Sequence, residues 1–422
     1  MAHPGGWRRV CLALFAVGWG ANQFSSMLLV YRDELGISPG TRAALFGVYA
    51  AGLVPGLLLG GTLSDRLGRR QVVIPFVALS PLATLVLIAG RNSPELLAVG
   101  RVLAGICSGV VFAGGSAWVQ ELSRDAPPGV AARRAAIALS AGFGLGPLGA
   151  AILAEWLPDP LWVPYLAHLA LGAAALVLVL RAPEPEMPRG GRGPLWRLPS
   201  AARLPRFRRV LVPLGPWAFG FASFSAVVLP QAVGRGGSHT VLVAGVANGL
   251  TLGAGAAIQP AAKRWEDRRR LIVATLGFAA GLASLAVGAL AIHADSPALA
   301  LAVSPGFGAA YGMVLVAGLR ESERLAEPAE RGATTAVYLA LTYVGFVVPY
   351  LVSALSGALG DIGATAVAAG AVAACAALVI GGQTRTSAAA ASRLSSPSNS
   401  VPAAEIGRGL TPGCTSTKGS DS

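Results

Sequence analysis

Twelve long apolar stretches alternate with short polar connections along the 422-residue chain. They cover 10–31, 41–63, 72–90, 95–121, 135–157, 161–180, 210–231, 240–260, 271–292, 297–319, 332–355 and 363–382, numbered here as segments 1–12. Each approaches the roughly 20 residues a helix needs to cross the hydrocarbon of a bilayer. Gly and Ala recur inside them, and small residues let membrane helices approach closely. The apolar run from residue 10 continues to Tyr31, longer than the apolar core of a signal peptide, so it is read as a first crossing. The longest internal polar gap, 181–209, leaves six segments on either side. The expected organisation is a six-helix bundle over 1–180, a cytoplasmic central loop over 181–209 and a second bundle over 210–382. Near-equal halves suggest an internal duplication. Residues 383–422, rich in Ser, Thr, Pro and Gly, read as a disordered cytoplasmic tail.

Composition agrees with this pattern. Hydrophobic residues make up 54% of the chain and charged residues 13%, about half the charged share of a soluble domain; mean hydropathy is +0.62. The net charge of +13 could suggest nucleic acid, but its placement argues otherwise. With the N-terminus inside, 28 of the 33 cations fall on the inner side and four, Arg32, Arg42, Arg91 and Arg235, on the outer. That asymmetry favours cytoplasmic termini. Only Lys263 and Lys418 are lysines among those cations. Together with 55 glycines this suggests a GC-rich genome and a bacterial inner membrane. The four cysteines and four histidines form no metal-ligand spacing. No phosphate-binding GxxxxGK[ST] loop occurs. No cofactor or metal is expected, and transport driven by this chain's own ATP hydrolysis is disfavoured.

The most specific signal is Gly61-Thr-Leu63-Ser-Asp65-Arg66-Leu-Gly68-Arg69-Arg70, between segments 2 and 3. Gly61 and Gly68 suit tight helix ends, and Asp65 suits a helix N-terminus or an arginine. Segment 4 holds Arg101-Val-Leu-Ala-Gly105-Ile-Cys-Ser-Gly109. An arginine within a span costs about 2.5–3.5 kcal/mol on insertion scales and needs either a partner in the interior or a snorkelling path to the interface. Segment 5 holds Gly142-Phe-Gly144-Leu-Gly146-Pro147-Leu-Gly149, a pliable helix with a small face.

These three motifs resemble those of the major facilitator superfamily: its signature loop, its RxxxGxxxG arginine motif, and the GxxxGPxxGG motif of its drug:proton antiporters. Ala150 stands where the last Gly is usual. The resemblance implies twelve transmembrane helices in two bundles, a loop at 61–70 that latches the halves in the outward-open state, and an Arg101 associated with proton coupling. It also implies a central cavity lined by segments 1, 4, 7 and 10. On that basis Asn22 and Gln23, the Trp217, Phe221 and Phe224 face, Ser304 and Tyr311 are the cavity candidates. Asn248 reads as a helix–helix hydrogen bond and His168 as structural. The counterpart loop 261–270 keeps its basic charge without the Gly-Asp-Gly frame, so the latch is expected to be asymmetric.

The expected function is secondary transport of a small molecule by alternating access, as proton-coupled efflux of an amphipathic compound by a monomer. The proton gradient would be the energy source, and the partners would be the substrate and the lipid bilayer. Uptake of a metabolite is the alternative. No Asp or Glu lies deep in a segment, which leaves proton coupling without a visible carrier. An intramembrane enzyme would need converging catalytic groups, and a membrane sensor a sizeable soluble domain; the sequence shows neither.

Overall fold

The computed structural model of the chain describes residues 5–127, 129–185, 198–234, 239–327 and 330–395, with side chains described through residue 381. His3, Arg235, Cys414, Lys418, most of the central loop (186–197) and the tail beyond 395 lie outside the described residues. Among the described residues every regular element is helical. Ten helices are long and apolar enough to cross a membrane, and Val163–Val179 is a shorter apolar helix. Segments 11 and 12 fall in one run, Arg331–Gly381. That run bends where Gly360 takes φ 70°, a conformation open to glycine at little cost. Residues 383–395, read from sequence as the start of the tail, are helical.

The helix starts follow local chemistry. Ser38, Ser93 and Ser296 cap segments 2, 4 and 10, each accepting a backbone N–H three residues on, and each is followed by proline. A serine cap satisfies an orphan donor, and proline at the first helical position forfeits nothing.

Close helix approach depends on glycines at fixed places. A Cβ built on Gly52 would sit 2.1 Å from the Val102 carbonyl oxygen, and on Gly105 2.2 Å from that of Tyr49. Gly109 faces the Leu53 carbonyl oxygen at 2.4 Å in the same sense. Segments 2 and 4 therefore touch backbone to backbone. Segments 8 and 10 repeat the arrangement: a Cβ built on Gly308 would meet the Thr251 carbonyl oxygen, and one on Gly312 that of Gly255.

The buried apolar side chains form two clusters. One draws mainly on residues 10–182, the other on 207–379. Phe219, Ala222, Ala226, Tyr343 and Phe346 of the second half join the first cluster, so segments 7 and 11 present these residues to the first half.

Two segments are interrupted at mid-length. Segment 1 consists of Gly6–Asn22 and Phe24–Leu35, and segment 2 of Pro39–Gly47 and Tyr49–Leu67. Segment 7 contains π-helical turns at Phe207–Leu211 and Phe224–Val228. Interruptions of this kind leave backbone carbonyls that need other donors.

Candidate functional site

In the first half Arg101 bonds backbone carbonyls near those points. It is 1% exposed. Its Nη1 donates to the Ala21 carbonyl at 3.0 Å, Nε to that of Leu45 at 3.2 Å and Nη2 to that of Phe46 at 3.4 Å. These acceptors immediately precede the breaks in segments 1 and 2. The guanidinium carbon lies 4.5 Å from the Phe24 ring centroid and 4.4 Å from that of Tyr49, where cation–π attraction is strong in a dry site. Arg101 neither snorkels nor faces open space; it ties two interrupted helices to segment 4. Gly105 and Gly109 pack that segment against segment 2, as described above.

The antiporter-like motif faces segment 1. A Cβ on Gly142 would lie 2.3 Å from the Phe15 carbonyl oxygen, on Gly146 2.6 Å from that of Trp19, and on Gly149 2.3 Å from the Trp19 ring. Pro147 has no N–H, so the Phe143 carbonyl four residues back loses its helical donor. Asn22 Nδ2 donates to that oxygen at 2.8 Å. Ser26 donates to the Pro147 carbonyl at 2.9 Å. Across the halves, Asn248 Nδ2 donates to Ser25 Oγ at 2.9 Å, and Asn22 Nδ2 reaches Asn248 Oδ1 at 3.4 Å. Asn22 is thus engaged in helix contacts, and Asn248 makes the interhelical bonds its position suggested. Gln23 is fully buried, and neither amide atom has a hydrogen-bond partner. His168 is buried, with Nδ1 2.7 Å from Thr84 Oγ1.

The aromatic face expected on segment 7 is largely committed to packing inside the second half. Phe221 fills the space over Gly281, and Phe224 stacks on Phe307 with centroids 5.4 Å apart. Trp217 leans on Phe221 at 5.6 Å. The segment 7 ring that joins the cluster reaching the first half is Phe219. It stacks on Tyr343 at 4.7 Å and touches Phe346 at 5.1 Å and Tyr311 at 5.4 Å. Phe346 in turn meets Phe46 at 5.1 Å and Tyr49 at 5.9 Å from the first half. Of the aromatic candidates, only Tyr311 belongs to this six-ring cluster. Phe219 lies two positions from both Trp217 and Phe221, off the i, i+4, i+7 stripe, and Phe46, Tyr49, Tyr343 and Phe346 belong to segments the resemblance did not nominate. Ser304 is buried and closes a hydroxyl triangle: Ser225 Oγ is 2.8 Å from Thr251 Oγ1 and donates to Ser304 Oγ at 3.2 Å.

On the arginine-rich face the signature loop staples its own half. Gly68 takes φ 108° and turns the chain. Arg69 pairs with Asp65 at 2.5 Å and with Glu121, at the end of segment 4, at 2.8 Å. Arg70 donates to the carbonyls of Leu180 at 2.6 Å and Ala182 at 3.1 Å, capping segment 6. Leu63 and Arg66 are half-buried, and Gly61 has ordinary room, 3.8 Å to the nearest side chain.

The second half carries a counterpart that the missing glycines concealed. Arg270 pairs with Glu321, at the end of segment 10, at 2.8 Å, as Arg69 does with Glu121. Arg206 joins Glu321 at 2.5 Å. Glu266 occupies the place of Asp65 and is fully buried. It accepts from Leu271 N at 2.7 Å and from Arg324 at 2.9 Å. Leu271 adopts φ 60°, a costly conformation for a branched residue, and the Glu266 carboxylate holds it. The asymmetry lies in how the turn is made; the ion-pair frame repeats. The spacing Asp65-x-x-x-Arg69 against Glu266-x-x-x-Arg270 would have revealed it.

The described hydrogen bonds between the halves lie at mid-segment or on the face opposite the arginine-rich loops. Besides the Asn248 bonds, they are Arg42 Nε to Gln231 at 3.0 Å, Arg32 Nη2 to Thr240 at 3.2 Å and His239 Nδ1 with Glu155 at 2.6 Å. The halves are drawn together on that face.

The family model of the Major Facilitator Superfamily matches residues 10–349. An 80-residue stretch is 32% identical to Multidrug resistance protein MdtL of Klebsiella pneumoniae subsp. pneumoniae, covering 19% of this chain and 20% of that protein. A 109-residue stretch is 29% identical to Probable inositol transporter 2 of Arabidopsis thaliana, covering 25% and 19%. The matched stretches thus span about a fifth of each relative's own length. Among solved structures, a mutant of the nucleoside transporter NupG superposes with TM-score 0.74 at 12% identity, over 89% of this chain and 99% of that one. A POT family transporter bound to a thioalcohol-conjugated peptide superposes with TM-score 0.70 at 12% identity, over 91% and 97%. At these identities the likeness is one of fold.

Proposed function

This chain belongs to the Major Facilitator Superfamily, and on that premise we propose that it is a proton-coupled exporter of small amphipathic molecules in a bacterial inner membrane. It is a multi-pass integral membrane protein and a transporter by family. Counting Val163–Val179 and the two arms about Gly360 as separate crossings gives twelve. The arginine-rich face and both termini then lie in the cytoplasm. The protein works as a monomer, without a cofactor, by rocking its two halves around a site at mid-membrane.

The observation that carries this reading is the ring cluster shared by both halves. Phe46 and Tyr49 come from the first half, and Phe219, Tyr311, Tyr343 and Phe346 from the second. Rings on two bodies that move apart become the wall of the opening between them, and ring faces favour planar or cationic cargo. The signature loop acts as the latch. With the opposite face closed, Asp65 rests on Arg69 of its own loop. When that face opens, the second half comes within reach of Asp65.

Cells producing the protein should accumulate less of a fluorescent planar cation than control cells, and Phe219→Ala should lower that efflux several-fold at equal membrane abundance. Efflux unchanged by Phe219→Ala would contradict the site. A second reading, uptake of a small metabolite, is favoured by the Ser225–Thr251–Ser304 hydroxyl triangle. Accumulation of a labelled polyol above control would support it.

A further inference from the structure

Asn248 lies in segment 8, whose helix runs Thr240–Arg268, and is 3% exposed. Its Nδ2 donates to Ser25 Oγ at 2.9 Å, and its Oδ1 accepts from Asn22 Nδ2 at 3.4 Å. Among the described residues, both partners of this amide belong to the first half. Those partners are held differently. Asn22 Nδ2 also donates to the Phe143 carbonyl at 2.8 Å, and Ser25 Oγ donates to the Asn22 carbonyl at 2.8 Å. Both of these bonds stay within the first half. When the halves part at this level, Asn22 and Ser25 each keep a bond, and of the three only Asn248 loses every one. An amide stripped of its partners costs more than the bonds themselves were worth, unless something replaces them.

The same face of segment 8 leads to the shared rings. Thr251 and Gly255 follow Asn248 at i+3 and i+7, so the three lie along one side of the helix. The Tyr311 ring covers Gly255, 2.3 Å from where a Cβ would begin, and belongs to the cluster that joins the halves. Seven residues of helix separate Asn248 from that ring by about 10 Å, a gap that a fused-ring molecule spans. Thr251 is committed to its own half, bonding the Ala247 carbonyl at 2.8 Å and Ser225 Oγ at 2.8 Å. Asn248 is thus the polar side chain on this face that parting sets free.

We propose that Asn248 determines specificity: its carboxamide takes a donor–acceptor edge of a planar cargo, such as a primary amide or lactam, in place of Ser25 and Asn22. A carboxamide offers an acceptor oxygen beside N–H donors, so a matching edge pairs with it twice. Such a cargo replaces the bonds that the parted halves give up, and its binding favours the parted conformer. A cargo without the donor leaves the Asn248 oxygen unpaired and is disfavoured. One hydrogen bond of this kind is worth about five-fold in affinity.

The inference rests on the reading that cargo binds between the halves at the rings, and its test keeps the two apart. The probes are two fluorescent acridinium dyes that differ in one substituent, a primary carboxamide or its N,N-dimethyl derivative, which has no N–H. Fluorescence titration of the full-length protein in lipid nanodiscs gives a Kd for each. The wild type should bind the carboxamide dye about five-fold more tightly. Asn248→Leu should bind the two dyes alike, and Asn248→Gln should regain part of the preference. Equal affinities in the wild type overturn the assignment, and so does a preference undiminished in Asn248→Leu. Should Asn248→Leu not give monodisperse protein, Asn248→Ala takes its place with the same two outcomes. A preference in binding without efflux of either dye from cells leaves Asn248 its role and removes the export reading. Binding of neither dye overturns both.

Discussion

Arg101 shows how a full charge is accommodated in an apolar segment through hydrogen-bond supply. One planar guanidinium reaches three backbone carbonyls, those of Ala21, Leu45 and Phe46, close to the irregular turns at Gln23 and Val48. The sequence made the arginine conspicuous and left its partners hidden, because all three are backbone atoms. Guanidinium does not deprotonate in proteins, so its role is to hold the two interruptions in place. Truncation would remove three charge-assisted hydrogen bonds, each worth about 1.5–3 kcal/mol. Arg101→Ala should therefore lower the thermal midpoint in detergent sharply. Arg101→Lys should recover only part, since an ammonium lacks the fork geometry. A midpoint unchanged in Arg101→Ala would contradict this account. Asn22 teaches a related lesson. Its polarity in segment 1 suggested a substrate contact, yet Pro147 in segment 5 had already created the acceptor it satisfies.

For the elements, periodicity and caps made most helices legible. Ser-Pro pairs announce segments 2, 4 and 10, and the apolar runs match the observed helices to within a few residues over most of their ends. What escaped was contact between distant elements. A stripe at i, i+4, i+7 on segment 7 shows that a face exists, but its partner is decided by packing: Phe221 and Phe224 enter the second half's core, while Phe219 joins the cluster that continues into the first through Phe346. The GxxxGP motif is explained by contact with segment 1, which predicts a sharp contrast. Gly146→Leu would force a side chain into the Trp19 backbone, 2.6 Å from where its Cβ begins, whereas Gly144 has nothing within 4 Å. Gly146→Leu should abolish monodisperse protein on size-exclusion chromatography, and Gly144→Ala should behave as wild type. Comparable behaviour of the two would remove segment 1 as the reason for the motif.

Across the whole molecule, two charge frames at equivalent places, Arg69–Glu121 and Arg270–Glu321, brace the arginine-rich ends of the two halves. The described bonds between the halves gather at mid-segment and on the face opposite the arginine-rich loops. That distribution describes a conformer closed on one face, with each signature-type loop resting on its own half. The central polar gap is the basis for expecting two halves, whereas the repeat of the charge frame was obscured by the loss of glycines around 261–270. Proton-coupled export by alternation between such conformers is the central claim. It is tested most directly by proton movement in everted membrane vesicles containing the protein, with an imposed acid-inside gradient and an added planar amphipathic cation. The account predicts that the cation collapses the gradient in a dose-dependent way, and that Asp65→Asn, inserted at normal abundance, abolishes the response. A gradient untouched by the cation, in vesicles that nevertheless take up the labelled compound through this protein, would contradict proton coupling.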